Sequence, residues 1–318
     1  MTNVSVLGAG AFGTSLALYS SNLGHRTRVW AYDEGLPERV AAEGENAAYL
    51  PGFPTPKDLL FTNDMATALQ DADLVLLVVP SSFMRAVTTQ AAPHLPEGAL
   101  VTSTAKGIEQ ESYALMSDVL ADTLPGHAHS ATYLSGPSFA KDNASQLPAD
   151  VTLAGAEIDT ARRVQDVLHS PLLRVYASDD VVGVQLGGAL KNVIAVACGA
   201  AHGLGLGAST VASLMTRGLA ELTRLGVSLG ANPLTFLGLA GVDDLSLTCN
   251  GELSRNRQLG QQLASGKTAQ EIVTSQKAVA EGYRTSVAVH DLAEREGVDM
   301  PISEAVYKVC HEGASLPE

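Results

Sequence analysis

Residues 3–7 (NVSVL) form a short apolar run, GAGAFG follows at 8–13, and a helix-like TSLALYSSNLG comes next. A strand, a glycine turn and a helix in immediate succession leave few folds open. Gly8 permits the tight turn, Gly10 lets the backbone approach a pyrophosphate, and Gly13 lets the helix pack closely on the strand. The helix N-terminus adds backbone donors and the positive end of a dipole. The glycine spacing alone is weak. Here it stands at the first strand–helix junction, and 27–32 (TRVWAY) supplies the next strand on schedule. Asp33 and Glu34 then stand where an acid would bind the adenosine ribose hydroxyls, which favours NAD, although a solvated turn acid looks the same. The nearby Arg28 and Arg39 leave NADP open.

Further strands are predicted at 59–62 (LLFT), 74–79 (LVLLVV), 100–104 (LVTST), 132–135 (TYLS), 151–154 (VTLA) and 172–176 (LLRVY). Helical segments separate several of them, including 63–70, 110–120 and 159–168. The 74–79 run is apolar throughout, as a parallel strand buried on both faces should be. This alternation predicts an α/β, Rossmann-like doubly wound N-terminal domain over residues 1–178, its last two strands extending one sheet edge. Ligands of such sheets bind outside the carboxyl ends of the strands. At those ends stand the glycine turn, Pro80-Ser81, Lys106-Gly107 and Gly136-Pro137-Ser138-Phe139.

From 179 to 318 the pattern is helical, predicting an all-α C-terminal domain. It begins with 181–201, VVGVQLGGALKNVIAVACGAA, whose one charged residue is Lys191. The stretch is long enough to span a membrane. A central charge, however, costs roughly 2.5–3.5 kcal/mol on insertion scales, so a buried helix and no stable membrane insertion are expected. A lysine in such a setting either snorkels to water or has a task. Enclosure would push its pKa down, toward values useful in acid–base chemistry. Further on, Asp243 and Asp244 lie in the otherwise uncharged AGVDDLSLTCN. Ser254, Arg255, Asn256 and Arg257 precede a helix that Ser254 can cap. Arginine's planar fork suits phosphate oxygens, so 254–256 is a candidate phosphate seat. A capped surface helix with solvated arginines is the alternative. His202, in HGLGLG, reads as a loop histidine.

Composition narrows the function classes. A formal net charge of −14 argues against broad nucleic-acid binding and against a polybasic membrane surface. The three cysteines are scattered, with no CxxC spacing, so neither a disulfide framework nor a zinc site is expected. Reduced thiols in a cytoplasmic protein are the expectation, with no signal peptide. No segment has metal-ligand spacing, and no Ser-His-Asp set stands out.

The stretches GAGAFGTSLA, VVPS, STAKGIE, SGPSFAK, GVQLGGALKNVIA, TRGLAE, AGVDDLSLTC, SRNRQLG and VAEGYRT together resemble the bacterial-type NAD(P)-dependent glycerol-3-phosphate dehydrogenase family. The resemblance implies reversible reduction of dihydroxyacetone phosphate to sn-glycerol 3-phosphate with NAD or NADP, supplying glycerophosphate for phospholipid synthesis. A homodimer is compatible with it. It also implies roles. Lys191 would be the proton donor or acceptor, and Lys106 and Asp244 would line the substrate site. Gly136 and Ser138 would contact the substrate. Ser254, Arg255 and Asn256 would hold its phosphate, Arg255 touching the cofactor as well. Ala11, Phe12, Tyr32, Asp33, Lys106, Ala140, Val279 and Glu281 would lie along the cofactor with Gly8, Gly10 and Gly13. Two departures stand out: Ala11 where a serine is common, and Tyr32-Asp33-Glu34 where many relatives carry a basic residue or histidine. The choice between NAD and NADP therefore stays open. Two other readings are kept. One is a β-hydroxyacid dehydrogenase acting on carboxylates. The other is a catalytically silent dinucleotide sensor, which would not need Lys191, Lys106 and Asp244 together.

Overall fold

The structure, a computed structural model, describes residues 1–275 and 280–316. Its strands are β1 (Asn3–Leu7), β2 (Arg26–Trp30), β3 (Leu60–Thr62), β4 (Leu74–Leu77), β5 (Leu100–Ser103), β6 (Ala131–Ser135), β7 (Ala149–Gly155) and β8 (Leu173–Ser178). They form one sheet in the order β3-β2-β1-β4-β5-β6-β7-β8. The pairs β1–β2, β1–β4, β2–β3, β4–β5, β5–β6 and β7–β8 are parallel. The strand order reverses at β1, and a reversal of this kind opens a crevice at the strand ends. That is where GAGAFG lies.

Each predicted strand is present, and burial explains why each was readable. All four residues of the central β4 are buried, so it is apolar throughout. The edge strand β8 begins with alternation: Leu173 and Val175 are buried, Arg174 and Tyr176 exposed. The 110–120 helix needs correction, because the helix is Met116–Thr123. Upstream of it the Glu109 N–H donates to the Ala114 carbonyl and the Ser112 hydroxyl donates to the Glu109 carboxylate. Tyr113 has a φ of 57°, which a right-handed helix cannot contain.

The chain divides into two compact units. The first comprises Met1–Ala105, Met116–Leu134 and Ser138–Val181 and carries the sheet. In it the helix Ala11–Asn22 packs on the helix Ala140–Ala144, where the Asn143 amide donates to the Ser15 hydroxyl. The second comprises Lys106–Leu115, Ser135–Pro137 and Val182–Glu318. Its described residues from 182 onward are helices and connecting turns.

The helix Val181–Gly203 is the core of the second unit. It is long and apolar enough to cross a membrane, but 83% of its most apolar window is buried within the protein. A helix apolar all round is a core helix when it is covered in this way. Its glycines let neighbouring backbones touch it. A Cβ on Gly187 would lie 2.2 Å from the Ala240 carbonyl oxygen, and one on Gly199 would lie 2.0 Å from that of Arg257. The unit is also fastened by Glu221, which is buried. Its carboxylate accepts from the N–H groups of Ile302 and Ser303 and from the Ser303 hydroxyl, which caps the helix Pro301–Tyr307.

Candidate active site

Two sets of candidate residues stand out, one in each unit. In the first unit, the glycines of GAGAFG have separate duties. Gly8 has a φ of +120°, and a Cβ there would lie 2.3 Å from the Val78 carbonyl oxygen. A Cβ on Gly13 would lie 1.8 Å from the Gly8 carbonyl oxygen, so helix and strand touch at this point. A Cβ on Gly10 would meet nothing within 4 Å. The helix Ala11–Asn22 starts directly after it, with no side-chain cap and no acid in its first turn. Open space beside backbone donors at an uncapped helix start fits the diphosphate of a dinucleotide.

At the end of β2, Tyr32 is exposed and Asp33 forms a 2.7 Å ion pair with Arg39. Asn63 braces the turn by donating to the carbonyls of Ala31 and Asp33. The two arginines weighed for NADP separate here. Arg28 is buried and donates to the Gln70 carbonyl, so it is spent inside the protein, whereas Arg39 stays beside Asp33. Phe12, Ser138 and Ala140 are half-buried.

In the second unit, one buried carboxylate lies between two ammoniums. Asp244, 1% exposed, accepts from Lys191 through Oδ1 and from Lys106 through Oδ2, the latter at 2.8 Å. Lys191 is itself buried and also donates to the Thr248 hydroxyl at 2.8 Å. Lys106 also donates to the Gly136 carbonyl at 2.7 Å, and Gly136 has a φ of +132°. Lys191, Lys106, Asp244 and Gly136 were each named from sequence, and the fold brings them together.

The local structure explains the placement. The turn Leu239–Asp243 is π-type, a form common at functional sites, and Asp244 opens the next helix, Asp244–Asn250. The contact of Gly187 with the Ala240 backbone carries Lys191 to Asp244. Asp243, its neighbour in sequence, is exposed.

The electrostatics follow from burial. Desolvation pushes the Lys191 ammonium down from 10.5 to about 8, with Lys106 pushing the same way and Asp244 opposing. Burial also works against the Asp244 carboxylate, but Lys106 and Lys191 outweigh it and hold the carboxyl below its usual range. Lys191 can therefore gain or lose a proton near neutral pH while Asp244 stays charged.

Two participants carried no role in the sequence reading. Thr248 stands one turn after Asp244 and donates to its backbone carbonyl at 2.6 Å, leaving its oxygen to accept from Lys191. Helical spacing from Asp244 was the available signal. Asn192 donates to the Lys106 carbonyl and accepts from Asn256, whose own oxygen accepts from the Gly282 N–H. Asn256 thus commits its oxygen and one amide hydrogen to bracing the site. Ser254 caps the helix Arg255–Ala264 through the Arg257 N–H, and Arg255 is exposed at the first turn. Glu281 opens the helix Glu281–Glu296, while Val279 lies outside the described residues.

A doubly wound sheet with this glycine loop, accompanied by a helical unit with a buried lysine–carboxylate site, has the parts of a dinucleotide-dependent dehydrogenase. The family models for the N-terminus and C-terminus of NAD-dependent glycerol-3-phosphate dehydrogenase match residues 3–161 and 180–318. The chain belongs to that family. It is 46% identical over 316 residues to a glycerol-3-phosphate dehydrogenase (NAD(P)+) of Citrifermentans bemidjiense, covering 99% of this chain and 94% of the relative. It is 46% identical over 319 residues to that of Corynebacterium aurimucosum, covering 100% and 96%. The crystal structure of glycerol-3-phosphate dehydrogenase from Coxiella burnetii superposes with a TM-score of 0.93 at 35% identity, covering 99% of this chain and 96% of that one.

Proposed function

We propose that this chain catalyses the reversible NAD(P)H-dependent reduction of dihydroxyacetone phosphate to sn-glycerol 3-phosphate, supplying the glycerophosphate of phospholipids. The observation that carries this reading is the buried cluster of Lys191, Asp244 and Lys106. Bound NADH or NADPH supplies the hydride. As negative charge grows on the substrate's carbonyl oxygen, the Lys191 ammonium stabilises it and transfers its proton there, so the carbonyl becomes an alcohol. Lys106 adds positive field and holds the substrate with Gly136 and Ser138. Asp244 fixes both ammoniums in direction, and Thr248 fixes Lys191 from a second side. Ser254, Arg255 and the remaining amide hydrogen of Asn256 are the proposed phosphate seat. The glycine loop with Ala11 and Phe12, then Tyr32, Asp33, Lys106, Ala140, Arg255, Val279 and Glu281, are the proposed cofactor contacts.

The test is oxidation of NADH, and separately NADPH, with and without dihydroxyacetone phosphate. Turnover that depends on dihydroxyacetone phosphate is expected. Turnover only with carboxylate substrates would instead make the protein a β-hydroxyacid dehydrogenase, and binding without turnover would make it a sensor. Arg255→Ala is expected to raise the KM for dihydroxyacetone phosphate by about tenfold or more, the scale of one lost charge-assisted contact, with less effect on kcat. An unchanged KM in steady-state kinetics removes Arg255 from the phosphate seat.

A further inference from the structure

Asn46 lies in the loop after the helix Leu36–Glu43 and is fully buried. Its amide nitrogen donates to the Ala9 carbonyl at 2.9 Å and to the Thr14 hydroxyl at 2.8 Å. Ala9 is the residue between the first two glycines of GAGAFG, and Thr14 belongs to the start of the helix that follows. Thr14 also donates from its hydroxyl to the Ala9 carbonyl, closing a three-membered network. The backbone of Asn46 is held in turn, because its carbonyl accepts from the N–H groups of Tyr49 and Leu50. The amide cannot be reversed, since its oxygen would then lie against the Ala9 carbonyl oxygen, and neither of the two can donate.

The other end of the same side chain has no partner among the described residues: the Asn46 Oδ1 atom is buried without a hydrogen bond. A buried oxygen of this kind is destabilising, and an apolar residue of similar size would avoid the cost. Packing therefore does not account for asparagine at this position, whereas its two donated hydrogen bonds do. Their effect follows from peptide geometry. The Ala9 carbonyl and the Gly10 N–H belong to one planar trans peptide and point in opposite directions. Fixing the carbonyl toward Asn46 turns the N–H the other way, and the link to Thr14 ties that peptide to the first helical turn.

We propose that Asn46 is a positioning residue for dinucleotide binding. It clamps the glycine loop at Ala9 to the helix at Thr14, and so pre-sets the backbone donors of Ala11 and Phe12 for the diphosphate. This rests on the reading that the glycine loop binds NAD(P). A preset donor array spares the ligand the entropy of ordering it, so losing the clamp weakens binding without touching the proton-transfer residues.

The experiment compares wild type, Asn46→Leu and Asn46→Asp by direct titration with NADH and with ADP-ribose, which carries the diphosphate but no nicotinamide. Asn46→Leu is expected to weaken both ligands by about tenfold or more. Its kcat at saturating NADH should stay within about twofold of wild type, and its KM for dihydroxyacetone phosphate should be unchanged. Asn46→Asp keeps the volume, and its carboxylate would face two oxygens. A donor returns only on protonation, so its NADH affinity should improve as pH falls from about 9 to about 6. A purely structural role would not produce that profile. Wild-type affinity for both ligands in folded Asn46→Leu overturns the proposal. Should that variant not fold, wild-type NADH affinity in Asn46→Asp at the alkaline end does so. Failure of the underlying reading has a different signature, in which wild-type protein itself binds neither NADH nor NADPH.

Discussion

Lys191→Ala is expected to lose about 10²–10⁴-fold in the rate of carbonyl reduction at saturating substrate, the range typical of a missing general acid, while NADH still binds. The cofactor contacts proposed on the glycine loop belong to the other unit and are untouched by the substitution. The wild-type pH profile carries the same assignment. Lys191 must be protonated to give its proton to the carbonyl oxygen, and burial has moved its pKa to about 8. Reduction is therefore expected to hold steady at lower pH and to fall as pH rises through about 8. Alcohol oxidation needs the neutral amine and should rise over the same interval. Initial rates in both directions across this range check it, together with NADH titration of the variant. Near-normal turnover in Lys191→Ala removes the residue from the mechanism.

Asp244→Asn is the second large effect, and it acts on stability and activity together. The substitution takes away the one carboxylate shared by Lys191 and Lys106 and leaves two ammoniums facing a neutral amide. Breaking a buried pair from one side is destabilising by about 3–5 kcal/mol. The sign of the pH dependence follows from Lys191. Its folded pKa lies below its unfolded 10.5, so unfolding takes up a proton between about 8 and 10.5, and stability gains with pH across that window. Without Asp244 the folded pKa falls further, and the window widens toward neutral pH. The loss is therefore expected to be largest between about pH 4 and pH 8. It shrinks in base as Lys191 gives up its charge, and in stronger acid as the wild-type Asp244 carboxylate is protonated. The reduction profile should shift to lower pH, with turnover at neutral pH strongly reduced. Urea unfolding at several pH values and kcat profiles check both parts. Adding Lys191→Met to Asp244→Asn should restore part of the stability and none of the activity. Wild-type stability in Asp244→Asn would mean that the two lysines do not depend on this carboxylate.

The legibility of this site was uneven for physical reasons. The glycines of GAGAFG were readable because each substitution is barred or permitted by its immediate surroundings: strand, turn and helix lie within a few residues of one another. Lys191 was conspicuous because a charge within an apolar helix violates the local pattern. Thr248 and Asn192 violate nothing. A threonine in a helix and an asparagine beside a lysine are ordinary, and their roles arise from partners far along the chain: Lys191 for Thr248, Lys106 and Asn256 for Asn192. Asp243 and Asp244 were equivalent in local pattern, and only the family resemblance named Asp244. Which of them is buried depends on the rotation of the π-type turn against Gly187. The region 110–120 went astray because a left-handed Tyr113 leaves no mark in an amphipathic pattern.

Sequence alone determined the eight strands, the glycine turn and the helical second half, because periodicity and backbone restriction are local properties of the chain. It also marked Lys191 as a residue that either snorkels to water or has a task, because an isolated buried ammonium is untenable. Only the tertiary structure joined Lys191 to Asp244, the carboxylate that the resemblance had named, and showed that Lys106 shares it. It alone decided that Arg28 is spent on the Gln70 carbonyl and that Asn46 grips the glycine loop. Those pairings depend on backbones meeting at glycines and on which side chains burial leaves facing each other, and neither is written in the spacing of residues along the chain.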